Sequence, residues 1–221
     1  MTITLIFLAG LMGVVVWWLV KQTINVQPWA TQGALAEDAY AHVLNQPKEK
    51  TGLWVFLAVV TSVFCLFISA YAMRMKLGDW RPLPEPDLLW LNTGVLVLSS
   101  VALQWTRLAA KQGRIDSVRV GLTATGVLTF AFMAGQLLAW QQLYELGYFL
   151  TSNPANSFFY LITGLHGLHL LGGLVAWSRT TARVWRGADV AQVRLSVELC
   201  AVYWHFLLIV WLVLFGLMLS T

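Results

Sequence analysis

From Gly52 to Met73 the chain carries no charged residue. A transmembrane helix needs about 20 mostly apolar residues to cross a hydrocarbon layer of about 30 Å. This one stretch already directs the chain into a membrane. Five further apolar runs accompany it, and the six lie at about 3–20, 52–73, 87–109, 118–142, 156–178 and 197–219. Lipid offers backbone groups no hydrogen-bond partners, so each run is expected to be a helix. A membrane barrel would need alternating polarity, which these runs lack. The expected fold is all-α and polytopic with six transmembrane helices. An N-terminal anchor occupies 1–21, a cytoplasmic loop 22–51 and a five-helix bundle 52–221.

Composition closes off the other classes. Of the 221 residues 58% are hydrophobic and 11% charged, with a mean hydropathy of +0.69. A soluble domain is about 45–50% apolar and about 25% charged, so a soluble enzyme and a disordered chain are both excluded. Cys65 and Cys200 fall inside apolar runs, where a buried thiol is expected and a disulfide scaffold is not. The net charge of +4 sits in short loops between spans, a topology pattern that implies no nucleic-acid partner. Met1–Val20 lacks a basic leading segment, and Lys21 follows it, so it reads as a retained anchor and not as a cleaved signal.

The basic residues also orient the chain. Lys21, Lys48 and Lys50, then Arg107, Lys111, Arg114 and Arg119, then Arg179, Arg183, Arg186 and Arg194 fall on one side. Only Arg74, Lys76 and Arg81 fall on the other. The positive-inside rule therefore places both termini outside, in the periplasm of a bacterium. Segment 34–44 suggests a short cytoplasmic helix. The alternating prolines of 79–86 suggest a stiff extended linker.

Polar residues at membrane depth are the functional candidates. His166 and His169 stand three apart in one span, a spacing that puts both on one face. They read as imidazoles bonded to neighbouring helices, with metal or haem ligation, or a proton relay, as the sharper alternative. Gly164, Gly167, Gly172 and Gly173 would let another helix come close there. Glu198 and His205 lie two turns apart on the last span, with Tyr203 and Trp204 beside His205. Glu198 is expected to pair with Arg194, four residues earlier, or to meet lipid headgroups, with a proton path through Glu198 and His205 as the sharper alternative. Asn92 and Gln136 are expected to bond across helices. Trp17, Trp18, Trp54, Trp90, Trp105, Trp140, Trp177 and Trp211 fit interfacial anchoring. Few ionisable groups are available for a pump or a redox centre, which favours a structural or lipid-binding subunit.

Several motifs resemble those of a known family. Ser-Phe-Phe-Tyr-Leu-Ile-Thr-Gly-Leu-His-Gly-Leu-His at 157–169 is similar to the fifth-span motif of subunit III of haem-copper oxidases. Glu198 to Trp211, with Tyr-Trp-His-Phe at its centre, resembles that family's last helix. Gly52-Leu-Trp-Val-Phe-Leu resembles its Gly-x-Trp-x-Phe-Leu opening. Pro-Leu-Pro-Glu-Pro at 82–86, followed by Leu91-Asn-Thr and Ser99-Ser100, resembles a segment between two of its helices. These motifs run in family order over about 51–219, leaving the first span and the following loop unmatched.

The resemblance implies an accessory subunit of a proton-pumping terminal oxidase that carries no redox centre itself. Haem and copper would lie in partner subunits I and II. The chain would pack beside subunit I, hold phospholipids and support assembly, durability and proton uptake. Trp54, His166, His169, Arg194, Glu198, Trp204 and His205 are then lipid-contacting or structural polar sites, with no catalytic or metal-binding residue. The family's buried acids are replaced here by Val60, Ala139 and Leu208, which weakens a proton-collecting role. Two alternatives stand beside this reading. One is the related protein of nitric oxide reductase systems. The other is a standalone transporter or enzyme, which needs His166, His169, Glu198 and His205 to converge on one cavity. The electron donor, cytochrome c or quinol, is not encoded in this chain.

Overall fold

The computed structural model describes residues 48–82 and 87–220. They form five helices: α1 Lys48–Arg74, α2 Leu88–Lys111, α3 Ile115–Glu145, α4 Pro154–Trp185 and α5 Val190–Leu219. All five are long and apolar enough to cross a membrane, which makes this a multi-pass membrane protein. They coincide with the last five apolar runs but extend further at their ends. Lengths of 24 to 32 residues at 1.5 Å per residue reach about 36–48 Å, so the helices continue past the hydrocarbon into the headgroup layers. The first apolar run and the helix expected over 34–44 lie outside the described residues.

The chain divides into two units, Met1–Phe56 and Leu57–Thr221. The described part of the first unit is the start of α1, where Trp54 is 56% exposed. In the second unit α2 packs on α3 and α5, and α4 packs on the same two helices. Four successive helices therefore close a ring. Contacts of Trp90 with Phe215 and of Arg107 with Glu198 show that α2 and α5 run antiparallel. Two turns at the basic end end on glycines at positive φ, Gly113 at 74° and Gly187 at 86°. Each lets the next amide bond back into the last helical turn, Arg114 to Ala109 and Ala188 to Arg183, both at 3.1 Å. The second-unit part of α1 meets α4 through Phe64 with His169, at 5.3 Å between ring centroids, and Tyr71 with Phe158, at 5.6 Å.

Polarity is distributed as lipid requires. Ser99, Thr106, Thr125 and Thr129 are buried between helices, while Val120, Leu138, Leu168 and Ile209 face outward. Close backbone approach lets small hydroxyls join helices where lipid cannot. Gly121, Gly126 and Gly173 are three of the glycines that create that approach. A Cβ on Gly126 would fall 2.3 Å from Trp177, on Gly173 2.7 Å from Tyr203, and on Gly121 2.0 Å from Thr106 Oγ1. Of the glycines expected at a helix crossing, Gly173 is at one. Gly164 is in ordinary contact with Trp140, and Gly167 and Gly172 meet nothing within 4 Å. At 100° per residue these four positions point in different directions around α4, and only Gly173 meets α5.

At the other end, the loop after α1 is tied to the start of α4. Asn153 caps α4 by accepting from Ala155 N at 3.3 Å, with Pro154 at the first helical position. The same amide donates to Arg81 O at 2.6 Å. Trp80 packs edge-on against Tyr71 at 4.9 Å. Beside it, the Arg74 guanidinium donates to Asp79 (Nη1 at 2.6 Å) and holds that carboxyl below its ordinary value. A depressed carboxyl contributes above its unfolded value of about 3.9 and loses that contribution as pH falls through the lower folded value. Trp80 fluorescence is therefore expected to stay constant between about pH 8 and 5 and to change only near or below about pH 4. A transition near neutrality would show that the pair does not order this loop.

Candidate functional site

One group of polar side chains bridges α2 and α5. Glu198 on α5 meets Arg107 Nη2 on α2 at 3.3 Å, both side chains about one quarter exposed. The expected partner, Arg194, is exposed on α5 itself. Spacing along one helix suggested Arg194, but the antiparallel neighbour presents Arg107 closer to the interior. Two turns further along α5, His205 Nε2 donates to Gln104 Oε1 at 3.1 Å, while its Nδ1 accepts from the Ser100 hydroxyl. Ser100, Gln104 and Arg107 recur every three or four residues on α2, so they form one stripe opposite Glu198 and His205. That spacing was readable in the sequence, but Arg107 was weighed there only as a topology signal.

A groove runs along the outside of this stripe. Val97, Val101, Trp105, Leu108 and Leu208 wall it, and Ser100, Gln104 and His205 form its floor. Its cavity volume is about 340 Å³. Leu208, one of the positions where the family resemblance implies an acid, makes this wall apolar. The other two such positions, Val60 and Ala139, are fully enclosed.

The remaining candidates separate. Trp204 is buried and donates to Thr129 Oγ1 on α3 at 3.2 Å, where Ser99 also bonds, at 2.9 Å. His169 Nδ1 donates to Leu165 O in its own helix at 2.7 Å, and Tyr203 donates to His169 O at 2.8 Å. His166 is 0% exposed and packs between Phe132, at 6.0 Å, and Trp211, at 5.2 Å. Neither His166 nitrogen has a hydrogen-bond partner. The expectation that both imidazoles bond to neighbouring helices is thus corrected. One bonds within α4, and the other meets aromatic rings. Asn92 Nδ2 and the whole Gln136 amide likewise make no cross-helix bond.

The tryptophans are corrected in part. Trp54, Trp90 and Trp105 are exposed on helix surfaces, as anchors should be. Trp140, Trp177 and Trp211 instead donate across the bundle, to Thr163 Oγ1, Leu122 O and Thr93 Oγ1 at 3.0–3.1 Å. An indole that joins helices and one that anchors at the interface look alike in sequence.

Among the described residues no three His, Cys, Asp or Glu side chains gather as metal ligands would. His166, His169, His205 and Glu198 do not converge on one cavity. Glu198 and His205 face α2, His169 faces α1, and His166 is enclosed between α3 and α5. Fold and site define a multi-pass helical membrane protein whose interior polar side chains chiefly join helices. Residues 7–220 match the family described as cytochrome c oxidase subunit III. The probable cytochrome c oxidase subunit 3 of Mycobacterium tuberculosis (strain ATCC 25618 / H37Rv) is 34% identical over 180 residues, covering 79% of this chain and 89% of the relative. The cytochrome c oxidase subunit 3 of Synechocystis is 30% identical, covering 80% and 78%. That of Thermostichus vulcanus is 29% identical, covering 76% and 84%. The chain belongs to the cytochrome c oxidase subunit III family, and it is an accessory subunit of a haem-copper oxidase, working with that complex's other subunits. The family match begins at residue 7, so the first apolar run and its loop fall within the family's span, which the motifs alone did not reach.

Proposed function

We propose that this subunit holds a phospholipid along the α2–α5 groove and so maintains the oxidase during turnover. The groove itself carries this reading. Its walls are apolar over the depth of an acyl chain, and the stripe on its floor leads to Arg107 near the basic end of the bundle. An amphipathic ligand with a tail in lipid and an anionic head at the interface matches that gradient. The subunit packs beside subunit I in a bacterial inner membrane, with its termini on the periplasmic side. The clustering of arginines at the Gly113 and Gly187 turns supports this orientation. Haem and copper reside in subunits I and II, and this chain's contribution to proton uptake is indirect. The names of the relatives favour an oxidase over a nitric oxide reductase system. The dispersal of the histidines disfavours a standalone transporter or enzyme.

The test fills the groove without touching its polar floor. Val101 is exposed on the wall. Val101→Trp, with the complex purified in mild detergent, is expected to lose one bound phospholipid per complex by mass spectrometry. Its initial oxygen consumption should remain within about twofold of the unsubstituted enzyme, a change under about 0.4 kcal/mol in activation free energy. Its activity should then decay sooner during sustained turnover. Unchanged lipid content and unchanged lifetime, with the subunit fully retained, would overturn the proposal.

A further inference from the structure

Three side chains deep in the four-helix ring have polar atoms that meet no protein partner. They are Asn92 on α2, Gln136 on α3 and His166 on α4, which are 3%, 7% and 0% exposed. The unpartnered atoms are Asn92 Nδ2, both amide atoms of Gln136 and both ring nitrogens of His166.

Contacts place all three at one level of the bundle. A Cβ on Gly135 would fall 2.0 Å from Asn92 Oδ1, and Gln136 is the next residue along α3. One turn before Gln136, the Phe132 ring meets His166 at 6.0 Å. His166 in turn lies 5.2 Å from Trp211 on α5. Trp211 Nε1 donates at 3.0 Å to Thr93 Oγ1, the neighbour of Asn92 on α2. The circuit closes around four helices, with one polar side chain from each of three and an indole from the fourth.

The chemistry of the layer selects its occupant. The two amides provide N–H donors, Gln136 also provides an acceptor, and a neutral imidazole provides one of each. No ionised side chain takes part in the circuit, and Phe132 and Trp211 wall it, so it has nothing to neutralise an ion. Unpaired polar groups in such an interior are costly. A water molecule donates and accepts, and buried waters typically make about three hydrogen bonds. We infer that water binds between Asn92, Gln136 and His166 as an internal hydrogen-bonded node that joins α2, α3 and α4 within the membrane. This site is separate from the α2–α5 groove and does not depend on the lipid reading.

The test uses the intact oxidase. A cryo-electron microscopy map that resolves water is expected to show a peak about 2.7–3.2 Å from polar atoms of at least two of the three side chains. A direct bond from His166 to Gln136 or Asn92, with no peak between them, would overturn the inference. Thermal release of the subunit provides a second readout. Asn92→Leu, Gln136→Leu and His166→Leu each leave the other groups and the water without a full set of partners. The triple variant removes the whole node. Its fall in release temperature is expected to be less than about half the sum of the three single falls. Falls that add would count against a shared node. If a single variant fails to assemble, the map of the unsubstituted complex decides.

Discussion

Trp211→Ala is expected to lower the stability of the subunit in its complex by about 3–5 kcal/mol, the range for truncating a buried aromatic. Trp211 is 0% exposed. It meets Phe132 edge-on at 5.1 Å, stacks parallel to Phe215 at 6.4 Å, touches His166 and bonds to Thr93. Truncation removes contacts to α2, α3 and α4 together. Packing of this kind is the main force between helices in lipid, where apolar surface gains little from leaving the solvent. Trp211→Phe keeps one aromatic ring but loses the rest of the indole and its donor, so its loss should be smaller, about 1–3 kcal/mol. The release temperature of the subunit from the purified oxidase measures both. An alanine variant that dissociates at the wild-type temperature would show that this level of the bundle does not limit stability.

Gly126→Val is expected to keep the subunit out of the purified complex. A Cβ there would lie 2.3 Å from Trp177 Cζ2. The indole cannot simply swing aside, because its Nε1 donates to Leu122 O at 3.1 Å and its ring lies edge-on to Phe130. Overpacking costs about 1–3 kcal/mol, and the lost bond adds about 1 kcal/mol. Subunit stoichiometry by quantitative gel or mass spectrometry reads the outcome. Pairing the substitution with Trp177→Leu removes the obstructing ring and should restore most of the assembly. A single variant present at full stoichiometry would mean that α3 and α4 can separate without consequence.

Much of the architecture was legible beforehand because lipid enforces a simple rule. Apolar runs of sufficient length must become helices, so α1 to α5 follow from hydropathy. The motifs around Gly52, His166 and Glu198 were specific enough to identify the family. Partnerships between helices were less legible. Arg194 stood four residues from Glu198 in sequence, yet Arg107 holds the carboxylate. Of the glycines around His166 only Gly173 marks a close approach, while Gly121, Gly126 and Gly135 on α3 mark three others. Those three are spread along a helix with no motif around them, and only the neighbour that fills each notch distinguishes them.

By itself the sequence determined a membrane class, a helical fold and a family. Each of these depends on composition along the chain or on local patterns, which one-dimensional information contains. Tertiary structure alone decided which face of each helix meets which neighbour. It separated His166 from His205, tied three tryptophans across the bundle, placed Arg107 against Glu198, and gathered Asn92, Gln136 and His166 at one level. These depend on the rotation and relative height of helices, which packing around the ring sets and hydropathy does not encode.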